Sequence, residues 1–170
     1  MKKTMGAMAA TFILAFGMFL GLAGGAGAVE YRDTAALKGL KQGKGIFEVN
    51  LDNSQKTALY LEIIKSTHQS MAKQKVKPDF IIVFVGPTVK FLTTAPESEL
   101  AGKHDDALKA IAASIRDLKR LGVKMEICVI ANDFFKVPND KILPELSLVG
   151  NGFISLIGYQ GKGYGLVPVF

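Results

Sequence analysis

The chain has 170 residues, of which 49% are hydrophobic and 21% charged, with a net charge of +6 and a single cysteine. That length supports one domain with a sizeable core, the composition excludes a disordered chain, and one cysteine excludes an intrachain disulfide. Lys2 and Lys3 supply two of the six excess charges; the remaining +4 is spread among acids, with no Lys/Arg run and no Trp, so no dedicated nucleic-acid surface is expected.

Met1-Lys-Lys3 is a short positive segment, Met5 to Leu22 is uncharged, and Ala26-Gly-Ala28 is an A-x-A signal before Val29. This is the pattern of a secretory signal peptide, residues 1–28, cleaved after Ala28. An uncleaved anchor is the competing reading, since the apolar run approaches the length of a membrane span. The four glycines between Gly21 and Gly27 and the small-residue exit favour cleavage. No cysteine follows the run, so a lipid anchor at this point is ruled out. The mature protein is expected in the periplasm, with no stable membrane anchor.

Residues 29–44 form a polar arm, and residues 45–170 a single domain. Gly45 to Leu51 is the first expected strand. Asp52-Asn-Ser54 offers caps for a helix whose stripe is Ala58, Leu61, Ile64, His68 and Met71. Lys77-Pro78 ends that helix. Asp79 to Val85 is almost continuously apolar, as a central parallel strand covered on both faces requires. Gly86-Pro87 stops it, with Pro87 placed for the first turn of a short helix carrying Val89, Phe91 and Leu92. Thr93 to Lys103 is expected as a loop and His104 to Leu121 as a helix, closed by a C′ glycine at Gly122. The next strand begins at Gly122 and runs through Cys128 to Asn132-Asp133. Short helical turns follow around Asp133 to Val137 and from Pro138. A strand is expected at Leu146 to Val149, a helix capped by Asn151, and a last strand at Tyr164 to Val169. Such alternation predicts an α/β fold, a mainly parallel five-stranded sheet between two helix layers.

In an open parallel sheet, ligands bind beyond the carboxyl ends of the strands. Those ends place Gly86, Pro87, Cys128, Asn132 and Asn151 on one rim. A thiol near a helix N-terminus is favoured as thiolate and so made reactive, which makes Cys128 the candidate nucleophile and the other four candidate substrate-binding residues. The competing reading is inert packing, because cysteine often serves as a small buried hydrophobe and Cys128 lies between Ile127 and Val129. His68 lies on an apolar stripe, and His104 opens a helix. With one cysteine these two widely spaced histidines match no zinc pattern, so no metal is expected. No phosphate loop or nucleophile elbow is present, and no cofactor is expected.

Gly122-Val-Lys-Met-Glu-Ile-Cys-Val-Ile-Ala131 resembles the cysteine-bearing strand of DsrE/DsrF-like proteins. Phe47 to Asp52, Phe84-Val-Gly-Pro-Thr-Val-Lys-Phe-Leu92, and Gly150-Asn-Gly-Phe-Ile-Ser-Leu-Ile-Gly-Tyr-Gln160 followed by Gly163-Tyr164 resemble its extracytoplasmic branch. The resemblance covers the chain from about Gly45. It implies a three-layer α/β/α domain, homo-oligomers from dimers to hexamers, and a cysteine, here Cys128, that accepts sulfur as a persulfide and passes it on. A sulfur donor or acceptor protein, or polysulfide, would be the partner. The chain departs from relay members in two ways: Val129 to Phe135 is apolar and acidic rather than basic, and the leader implies export. Two functions stay open. One is a sulfurtransferase-like carrier working through Cys128. The other is a non-catalytic binding or assembly module with Cys128 as filler. A disulfide between protomers is a third use of the thiol.

Overall fold

The computed structural model describes residues 31–170. The expected leader at 1–28 lies outside them. A short helix α1 (Thr34–Leu37) precedes β1 (Gln42–Val49), α2 (Ser54–Lys73) and β2 (Lys77–Phe84). A 3-10 turn at Gly86–Phe91 leads to α3 (Ser98–Arg120) and β3 (Lys124–Cys128). Then come α4 (Val129–Phe134), a 3-10 turn at Asn139–Lys141, β4 (Ser147–Val149), α5 (Gly152–Gly161) and β5 (Gly165–Val169).

The five strands form one sheet in the order β4-β3-β2-β1-β5, every neighbouring pair parallel. The three-layer α/β architecture is therefore as expected. β2 is central, and Phe80 to Val85 are all buried because helices cover both faces. From β1 to β3 the chain moves in one direction across the sheet, so right-handed crossovers put α2 and α3 together on one face; the two pack on each other. From β4 to β5 it returns past β3, β2 and β1, which puts the crossover helix α5 on the opposite face, against those three strands.

Local chemistry sets the boundaries. Asn53 caps α2, its Oδ1 accepting from Lys56 N–H at 2.9 Å. Asn151 caps α5, its Oδ1 accepting from Phe153 N–H at 2.9 Å. Gly122, with φ +82°, closes α3 in the left-handed conformation that glycine adopts without strain.

Lys77-Pro78, expected to end a helix, instead opens β2, and three further boundaries differ from expectation. α3 starts at Ser98, not His104, because Glu99 and Lys103 pair at 2.7 Å across one turn of what had read as loop. His104 is instead a break between two helical stretches (φ −132°, ψ 21°), and its Nδ1 meets Gln55 Nε2 at 2.8 Å. β3 stops at Cys128, and Val129 already begins α4; a short apolar run such as Val129-Ile-Ala131 does not by itself distinguish strand from helix. β1 begins three residues early, at Gln42, where its backbone pairs with β2 from Lys77 onward.

Candidate functional site

Cys128 is the last residue of β3 and the N-cap of α4. Its side chain shares a sheet face with Val83 and Val85, since an added Cβ at Gly152, the first residue of α5, would stand 2.7 Å from Val85, 3.2 Å from Cys128 and 3.3 Å from Val83. Only a glycine lets α5 start this close. The result is a hydrogen bond: the Gly152 N–H donates to Cys128 Sγ at 3.2 Å. Helix starts leave such N–H groups without intrahelical partners, and their dipoles favour negative charge.

The Cys128 side borders a cavity of about 310 Å³ at the carboxyl ends of β2 and β3. Val85 and Gly86 form one side, Ile130, Ala131, Phe134 and Phe135 the α4 side, and Asn151 and Phe153 the α5 side. The residue itself is buried, 6% exposed. Behind the Phe135 wall stands Lys90, its Nζ 5.6 Å from the ring centroid. Gly86 has φ +57°, and a Cβ there would collide with the Asn50 side chain. Thr88 fixes the neighbouring turn: its Oγ accepts from Leu51 N–H at 2.5 Å and donates to Leu51 C=O at 2.9 Å, while fully buried.

Of the residues expected on the rim, Cys128, Gly86 and Asn151 line one cavity. Pro87 and Asn132 do not. Pro87 opens the 3-10 turn. Asn132 is fully buried and its Nδ2 donates to Asn139 Oδ1 at 2.8 Å, tying α4 to the following turn. Below the cavity, Glu126 lies on the same face two residues before Cys128, and the Tyr159 hydroxyl of α5 donates to its Oε1 at 2.7 Å. The hydrogen bond to that carboxylate, helped by burial, pushes the Tyr159 pKa up to about 12. His68 packs edge-on against Phe80 on the α2 face, and burial holds its pKa below the ordinary value. Neither histidine lines the cavity.

A model of the DsrE/DsrF-like family matches residues 44–169. The chain belongs to the DsrE/DsrF-like family. A protein of Aquifex aeolicus (strain VF5), described as uncharacterized, is 27% identical over 130 residues, 74% of this chain; the match spans 55% of that protein, about half its length. Two solved structures of similar fold are the protein of unknown function MTH1491 from Methanobacterium thermoautotrophicum (TM-score 0.58, 15% identity, 75% of this chain and 99% of that one) and the YchN protein from E. coli (TM-score 0.54, 13% identity, 76% and 100%). At such identities they speak for the fold. No described helix is long and apolar enough to cross a membrane.

For this DsrE/DsrF-like chain, sequence reasoning placed the sulfur at the sheet's rim but missed its donor. The N–H comes from Gly152, one residue beyond the Asn151 cap, where the cap itself was the available signal. Phe134, Phe135 and Phe153 were also missed as cavity walls, because only the packing of α4 beside α5 brings them together.

Proposed function

We propose that the protein is an exported sulfur carrier whose working group is Cys128. The observation that carries this reading is the Gly152 N–H aimed at a sulfur that borders an apolar cavity, within a DsrE/DsrF-like domain. In the first step the Cys128 thiolate attacks the outer sulfur of a persulfide or polysulfide. The donor's S–S bond breaks, the donor leaves as a thiolate, and Cys128 becomes a persulfide. In the second step an acceptor thiolate attacks the terminal sulfur, takes it as its own persulfide, and releases the Cys128 thiolate. One sulfane sulfur moves, and no net oxidant or reductant is consumed. The Gly152 N–H supplies a fixed donor for the Cys128 thiolate before attack and on its release, and the apolar walls keep water away from the persulfide. The leader pattern in residues 1–28 supports the export part of this reading, with the periplasm as the place of work.

Polysulfide treatment followed by intact-mass measurement tests the reading. The wild type is expected to gain sulfur that a small thiol removes, and Cys128→Ser to gain none. Equal behaviour of the two proteins would end it. The 6% exposure of Cys128 favours a second reading, a binding module with a filler thiol, in which Cys128→Ala retains full function.

A further inference from the structure

Lys90 stands apart from the other charges near the Cys128 cavity. It is half-buried in the 3-10 turn at Gly86–Phe91. Its Nζ lies 6.0 Å from the Phe91 ring centroid and 5.6 Å from that of Phe135. Aromatic faces attract a cation at this range but do not neutralise it. Among the described residues no carboxylate pairs with Lys90, whereas Lys65, Lys103, Lys109, Arg120 and Lys141 all have acidic partners. Lys136 lines the same narrow cleft of about 80 Å³, and Phe135 is one of its walls. The acid in that lining, Glu97, is exposed and pairs with neither lysine. Phe135 thus has the Cys128 cavity and the lysine cleft as its two neighbours.

The cavity lining itself carries no charged side chain. An ammonium beside such a space acts through low-dielectric walls rather than water, so its field is felt further than on an open surface. Two carboxylates oppose it. Glu126 lies beneath the sulfur, with its Oε1 already accepting from the Tyr159 hydroxyl. Asp133 is exposed and falls off the stripe by which α4 faces the cavity, made by Ile130 with Phe134 and Ala131 with Phe135 at i and i+4.

We propose that Lys90, supported by Lys136, selects the sulfur donor by charge. The Cys128 cavity takes donors that carry net negative charge, such as inorganic polysulfide, in preference to neutral ones. This inference rests on the carrier reading and names its substrate class. The competing role for Lys90 is packing, with its aliphatic stem laid against two rings. Lys90→Met keeps a stem of that kind and removes the charge.

Two alkylating reagents of similar size test it on the purified full chain at neutral pH and low salt. Iodoacetate is an anion and iodoacetamide is neutral. Both report the same thiolate, so the ratio of their rates cancels any change in thiolate fraction and leaves the charge preference of the approach. Lys90→Met is expected to lower the iodoacetate-to-iodoacetamide ratio by about threefold or more, and Lys136→Met to lower it less. Lys119→Met, an exposed change at the far end of α3, is expected to leave it unchanged. Molar salt is expected to bring the wild-type ratio down to that of Lys90→Met. A ratio unchanged in Lys90→Met overturns the inference and leaves the carrier reading standing. Native Cys128 that reacts with neither reagent overturns both.

Discussion

At Gly152 a hydrogen atom stands where any other residue would set a carbon against three buried side chains, and the sulfur bond depends on that room. Gly152→Ala must lift the start of α5. Overpacking of this kind costs about 1–3 kcal/mol, or roughly 2–4 °C of melting temperature per kcal/mol for a chain of this size. A thermal scan is expected to show a loss of several degrees; a melting temperature within one degree of wild type would mean that the helix start is not held there. Thr88 makes a comparable point at the next turn. Thr88→Val keeps the shape but leaves both the N–H and C=O of buried Leu51 without their partner, at about 1–3 kcal/mol for each unsatisfied group. Thr88→Ser keeps the hydroxyl, and denaturant titration is expected to rank it between wild type and valine.

α5 is held at both ends, by Asn151 and Gly152 at its start and by Tyr159 on Glu126 near its end. Folding raises the Tyr159 pKa from 10.0 to about 12, because a phenolate would face the carboxylate. The stabilisation is therefore complete below pH 10, the unfolded value, and is lost as pH climbs through about 12. Melting temperature is expected to fall more steeply over that window in wild type than in Tyr159→Phe. Parallel curves would remove Tyr159 as the tether. On the other face, Lys65 joins the two helices of its layer, 2.7 Å from Glu62 and 3.1 Å from Asp117. Elements of this kind were largely legible in the sequence, since Asn53, Gly122 and Asn151 announce helix ends by chemistry local to each. The α4 start was not, because Val129-Ile-Ala131 is apolar whichever backbone it adopts. Glu126 read as an ordinary strand residue until the fold laid Tyr159 over it.

For the whole molecule, the strand order follows from alternation and handed crossovers, and it decides where chemistry can occur. The return from β4 to β5 places α5 over the carboxyl end of β3, so one helix both donates to the sulfur and offers an uncharged outer face. That the rim would hold Cys128 was readable from strand ends. That Gly86 and Asn151 would join it was readable in the same way; that Asn132 would turn toward Asn139 was not, because side-chain direction follows from the turn into α4. The carrier reading requires Cys128 to be reachable through the cavity in the folded protein. Its alkylation by iodoacetamide at neutral pH, compared between native protein and protein unfolded in urea, measures this directly. Native labelling at least as fast as in urea is the expected result; labelling confined to the unfolded chain would contradict it.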